Sequence, residues 1–205
     1  MKSCLSPFIL LSIFLLFGCD YGLDSKKSEN LPSEVYEELP SFNSFNLSDE
    51  YIYWEIRVGN MHHQDSTDDE VIVRYDEDIF LNLSPVQKSQ LASMDSVTGF
   101  DAWCAPLFCP VFGVALLPNE AIVIESRQDL LTFFGTIDTV AELSRWISSN
   151  NYGLRKYEVT DYGYRVVAGW DNDCGTRGED LIKVFRDGTI EKIRELSSES
   201  YNGCV

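Results

Sequence analysis

Between Tyr51 and Val58 the chain reads YIYWEIRV, a run of β-branched and aromatic residues that predicts a strand. Polar residues follow from Asn60 to Asp69; Val71, Ile72 and Val73 then predict a second strand within Glu70–Arg74, and Ile79–Leu83 a short third. The pattern changes at Ser84-Pro85. Serine as the cap, proline at the first helical position and Gln87 three residues after the cap predict a helix ending near Met94. Glycines and prolines interrupt Thr98–Pro118, which reads as irregular backbone, and Asn119–Ile124 reads as a buried strand. Ser126 with Asp129, and Thr139 with Glu142, open two further helices. In the second, Val140, Leu143, Trp146 and Ile147 follow the spacing of a buried stripe, and Asn151–Gly153 ends it.

From Leu154 onward the period becomes two. Leu154–Thr160, Tyr164–Trp170, Asp180–Arg186 and Thr189–Leu196 predict an antiparallel meander, with Asp187-Gly188 as a two-residue hairpin turn. Strands first, paired helices next and a meander last give an α+β class: an antiparallel sheet with a C-terminal meander over about 154–196 and two or three helices packed on it. This makes one globular domain over 49–205. Asp20–Ser48, rich in serine and with only isolated apolar residues, reads as a flexible tether of about 30 Å root-mean-square span, with a helical turn at Ser33–Leu39.

The N-terminus has its own pattern. Lys2 is followed by an apolar run from Leu5 to Phe17, broken only by Ser6, Pro7 and Ser12. That is shorter than the roughly 20 residues a spanning helix needs, and fits a cleaved export signal over residues 1–18. Leu16-Phe17-Gly18-Cys19 resembles the signal of bacterial lipoproteins, with Leu16 and Gly18 at the third and first positions before the acceptor Cys19; Phe17 stands where a small residue is usual. The resemblance covers about 20 residues. It implies that Cys19 is acylated with palmitate-type chains and becomes the new N-terminus, anchored at the bacterial cell membrane and facing the periplasm or exterior. Asp20 after the cysteine favours the inner membrane. An ordinary secretory signal cut near Gly18 is the alternative. A single acyl chain binds membranes reversibly, whereas the two or three chains implied here make attachment effectively permanent.

Net charge is −17, and −18 once Lys2 leaves with the signal. So acidic a chain argues against nucleic acid as a partner, since that binding relies on Lys and Arg neutralising phosphates. It also argues against lying flat on anionic lipid, so the lipid on Cys19 supplies the attachment. Apart from Cys4 in the signal and Cys19, four cysteines remain: Cys104, Cys109, Cys174 and Cys204. An even number in an exported chain points to two disulfides. A hairpin turning at Asp187-Gly188 brings the residues before Asp180 and after Leu196 to one end of the sheet. This favours Cys174–Cys204 and leaves Cys104–Cys109 as a tight local loop.

Candidate chemistry is sparse, and no cofactor or metal is implied. His62 and His63 precede Asp65, Asp68, Asp69 and Glu70, but their spacing matches no helical metal motif, and a solvated acidic loop explains it. Asp171-Asn172-Asp173 has the composition of a calcium loop, yet an EF-hand would need oxygen ligands where Gly175 and Ile182 stand. Cys104 and Cys109 are separated by four residues, where redox and haem motifs need two. Around them, Trp103, Leu107, Phe108 and Phe112 serve either as core packing, the favoured reading, or as a partner patch. No nucleophile elbow, P-loop or dinucleotide fingerprint occurs, so no catalytic residue is nominated. The leading expectation is a non-enzymatic binding or accessory module of the cell envelope, acting on an envelope protein. Two alternatives stand beside it: an inhibitor or immunity-like protein against a basic exported enzyme, and a carboxylate-dependent envelope hydrolase.

Overall fold

The computed structural model describes residues 31–35, 45–47, 50–59, 70–102, 109–172 and 174–204. Fourteen elements follow in chain order: β1 (Glu34–Val35), β2 (Tyr53–Val58), β3 (Glu70–Arg74), α1 (Glu77–Asn82), α2 (Pro85–Ala92), β4 (Asp101–Ala102), β5 (Pro110–Leu116), β6 (Ala121–Ile124), α3 (Arg127–Phe134), α4 (Val140–Ser149), β7 (Gly153–Val159), β8 (Gly163–Asp171), β9 (Cys174–Phe185) and β10 (Ile190–Cys204). They form two antiparallel sheets with four helices, an α+β fold. One sheet runs β3-β2-β5-β4, with β6 sharing the edge of β5 that β4 also uses; the other is the meander β7-β8-β9-β10, with β1 added beside β7.

The strand β5 is the main departure from expectation within the irregular stretch. All seven of its residues are buried. Val111 and Ala115 face one apolar cluster, while Phe112, Val114 and Leu116 face another. A strand covered on both faces reads as a continuous apolar run rather than an alternation. Pro110 is tolerated because it is the first residue of the strand, where no ladder donor is lost from the interior. The expected third strand at Ile79–Leu83 is instead helix α1. Asp76 caps it, accepting from the N–H groups of Asp78 and Ile79 at 2.7 and 3.1 Å.

The larger cluster joins the sheets. Trp54, Ile56 and Ile124 of the first sheet meet Leu130, Phe133 and Phe134 of α3, Leu143, Trp146 and Ile147 of α4, and Tyr164, Val166, Ile182 and Val184 of the meander. Both helices are opened by the capping boxes that Ser126/Asp129 and Thr139/Glu142 predict. Glu142 does more than cap. Its fully buried carboxylate accepts from the backbone N–H of Asp138 and Thr139 at 2.7 and 2.8 Å, and from that of Asn46 at 2.6 Å. Phe45 beside it stacks on Trp54 at 5.4 Å and meets Phe134 edge-on at 5.1 Å.

These contacts correct the boundary at residue 48. Residues 45–47 pack against the domain, Pro32 is buried, and Glu34–Val35 pair with Tyr157 and Lys156 as a strand rather than a helical turn. The hairpin turn is also corrected. Gly188 alone has positive φ, at +86°; its N–H donates to Phe185 O at 3.0 Å and the Phe185 N–H donates to Thr189 O at 2.9 Å. This is a three-residue loop with a glycine bulge, not a two-residue turn. A Cβ on Gly188 would lie 2.8 Å from Leu131 Cδ1, so both this approach and the positive φ favour glycine there; its carbonyl takes the Trp146 indole N–H at 2.9 Å.

On its other face the first sheet buries a charged network. Glu55 and Arg57 are 2 % and 6 % exposed. Arg57 Nε donates to Glu55 Oε1 at 2.7 Å, and its two Nη atoms donate to the carbonyls of Met94 and Leu91 at 2.6 and 2.9 Å, closing the C-terminal end of α2. The Tyr53 hydroxyl donates to Glu55 Oε2 at 2.8 Å; burial first, and the Glu55 charge second, raise its pKa. Removing one partner of such a pair leaves an uncompensated buried charge. Arg57→Ala is therefore expected to destabilise by roughly 3–5 kcal/mol in urea unfolding, and Glu55→Gln combined with Arg57→Met to cost less than Arg57→Ala alone.

Candidate functional site

The strands of the meander outrun the helix laid on them. Ten residues of α4 extend about 15 Å, whereas the 15 residues of β10 extend about 50 Å. Beyond the end of α4 the described residues leave an open cleft of about 1230 Å³. Ser148, Asn151 and Tyr152 reach it from the end of α4 and Asp101 from β4; Gly153 and Arg155 come from β7, Gly169 to Asp171 from β8, Arg177 to Glu179 from β9 and Ser197 to Glu199 from β10.

The floor is shaped by glycine. Trp170 stands opposite Gly178 in the β8–β9 ladder, and a Cβ on Gly178 would lie 2.7 Å from Trp170 Cζ2, so the indole lies across a position that only glycine leaves open. In the same way Arg155 lies over Gly169, where a Cβ would meet its Nε at 2.8 Å. The Trp170 indole N–H is buried and meets no acceptor among the described residues.

Most charges at the rim are already engaged. Asp101 accepts from Arg145 Nη1 at 3.1 Å and from the Ser148 hydroxyl at 2.7 Å. Arg177 pairs with Glu199, and the Tyr201 hydroxyl donates to Asp171 Oδ1 at 2.7 Å. Asn172 Oδ1 accepts from the Thr176 N–H at 2.9 Å, so the stretch with calcium-loop composition serves as the β8–β9 turn. Arg155 and Glu179 make no ion pair among the described residues. No group of three or more potential metal ligands gathers among those residues either.

Behind the cleft sits one buried acid. Asp180, 2 % exposed, pairs with Lys192 Nζ at 2.8 Å, and the Tyr152 hydroxyl is 3.4 Å from its other oxygen. Burial, and then the Asp180 charge, raise the Tyr152 pKa; the hydrogen bond to Asp180 raises that of Lys192 above its usual 10.5.

The sequence-nominated residues are distributed unevenly. Phe112 is fully buried in the second cluster, which removes it from any partner patch, because it fills the space beneath α1 and α2. Trp103, Leu107, Phe108 and Cys104 lie outside the described residues, as do Leu16, Phe17, Gly18, Cys19, His62, His63, Asp65, Asp68 and Asp69. Cys109 is buried just before β5, and the β9–β10 register sets Cys204 opposite Cys174. Apart from Asp171 and Asn172, weighed for their calcium-loop composition, the cleft residues drew no attention in the sequence. Their one signal is glycine inside strands, at 169 and 178, which marks a close approach by another group. Among the described residues no helix is long and apolar enough to cross a membrane. No protein family, no curated protein and no solved structure matches this chain.

The Lys192–Asp180 pair makes a signed prediction. Because the folded pKa of Lys192 is raised, its stabilisation is complete below the unfolded value near 10.5 and is lost as pH rises through the raised one. Lys192→Met is expected to lower the urea midpoint at pH 8 and to flatten the fall in stability above pH 10, both read by circular dichroism.

Proposed function

We propose that this chain is a lipid-anchored, extracytoplasmic binding module of the bacterial cell envelope, held at the membrane through Cys19 and receiving its ligand in the cleft at the end of the meander. The observation that carries the reading is the cleft, with a tryptophan on its glycine floor. Engaged rim charges support binding rather than hydrolysis. Asp101 and Glu199 are each ion-paired with an arginine and Asp171 takes a tyrosine hydroxyl, which leaves Glu179 as the one lining carboxylate with neither among the described residues, whereas a glycosidase needs one carboxyl held protonated and a second one facing it. The outer edge of β10 is a poor template for an added peptide strand, since its ladder to β9 is interrupted by three register shifts.

Within this reading Cys174 and Cys204 form a disulfide. Antiparallel partners stand about 4.5–5.5 Å apart at Cα, inside the range of about 4.4–6.8 Å that a disulfide spans. The two thiols give up two protons and two electrons to a disulfide oxidant of the exported compartment. Cys104 and Cys109 form the second bridge by the same exchange.

Two measurements test the proposal. A photo-reactive side chain placed at Ser198, in the cleft, is expected to give a discrete envelope adduct in intact cells. The same group at Glu191, elsewhere on β10, is expected to give none. Cys19→Ala is expected to move the protein from the membrane to the soluble fraction. Equal labelling at both positions, or none at Ser198, would overturn the binding site. Peptide mapping without reductant is expected to recover a Cys174–Cys204 linked pair, and Cys174→Ser to cost roughly 2–5 kcal/mol in thermal unfolding.

A further inference from the structure

We infer that the ligand of the cleft is an uncharged, hydroxyl-rich chain, an oligosaccharide, with Trp170 as its stacking platform. This rests on the cleft being the binding site. The first observation is charge. In a protein of net charge −17 the cleft is within one charge of neutral: Arg145, Arg155 and Arg177 stand against Asp101, Asp171, Glu179 and Glu199. A polyanion would need an excess of cations and a basic peptide an excess of carboxylates. Neither sign dominates here.

The second observation is the kind of surface. Asn151, Asn172, Ser197 and Ser198 present amide, hydroxyl and backbone groups that both donate and accept, and no aliphatic side chain is among the described lining residues. Peptide recognition draws most of its affinity from apolar or aromatic anchors seated in dry pockets, and those residues supply none for an aliphatic anchor. A pyranose ring instead offers an apolar face of C–H groups and a rim of hydroxyls. The flat indole of Trp170, laid across Gly178, suits the first, and the polar rim suits the second.

The third observation is the Trp170 indole N–H, buried without an acceptor among the described residues. A buried donor left unmatched is unfavourable, and a small shift of the ring on binding would bring this one to a ligand hydroxyl.

The test is a titration of the ¹⁵N-labelled full-length protein in detergent micelles, following the Trp170 indole resonance assigned with Trp170→Phe. Tetra-N-acetylchitotetraose and cellotetraose are the probes, and tetralysine the control. A saturable shift with either saccharide, and about tenfold weaker binding in Trp170→Ala, is expected. Response to the first alone would identify amino-sugar chains as the ligand; response to both would identify neutral glycans in general. If Trp170→Ala does not fold, Arg155→Ala at the exposed rim is read instead. It is expected to weaken binding, and unchanged affinity would overturn the inference. No Trp170 shift with either saccharide would also overturn it. A discrete adduct at Ser198 under that outcome would leave the binding module standing with a different ligand, whereas no adduct would remove both.

Discussion

The rest of the structure depends on the need to bury strands β2 and β5 on both faces. Their residues alternate between two apolar clusters, so each face requires its own cover. On one face α1 and α2 supply it, held by Arg57, whose guanidinium closes the end of α2 while pairing with Glu55. On the other, α3, α4 and the meander supply it together, so one apolar cluster ties the two sheets to each other. A cluster of this kind fixes where α4 lies. Since α4 is much shorter than the strands beneath it, the same constraint places the cleft that the described residues leave at its end. The cleft is thus a consequence of packing at a distance from it.

Local signals that depend on a few neighbouring residues were legible from the sequence. The capping boxes at Ser84, Ser126 and Thr139 are present as read, because a cap is a reciprocal bond between residues three apart. The meander was legible from its period of two. Other readings failed for physical reasons. In β5 burial on both faces erased the alternation, and Pro110 and Gly113 disguised it further. At Ile79–Leu83 an apolar run too short to show a period was resolved by the Asp76 cap, not by propensity. The stretch before residue 48 looked like a tether because its apolar residues are isolated. Phe45 is nevertheless held by ring stacking, and Asn46 by a carboxylate 96 residues away.

The cleft was the least legible feature. Trp170, Arg155 and Arg177 are ordinary strand residues until the ladder sets them beside Gly178, Gly169 and Glu199. Glycine within strands was the one local trace, and it is shared with bulges and tight bends. Electrostatics followed a similar course. Bulk composition gave a strongly acidic protein, while the arginines set beside the cleft carboxylates bring it within one charge of neutral, and the proposed ligand rests on that local balance more than on the net charge. The disulfide readings stood between these extremes: the hairpin alone brought Cys174 and Cys204 to the same end, and the register sets them opposite each other.

The proposed binding site requires the end of the meander beyond α4 to be occupied where the protein works. Hydrogen exchange of the anchored protein in envelope membranes, compared with the same protein purified in detergent, tests it most directly. Slower exchange is expected in the membranes across Ser197–Tyr201, with equal rates in both preparations across Glu191–Ile193. Equal rates in both segments would contradict it.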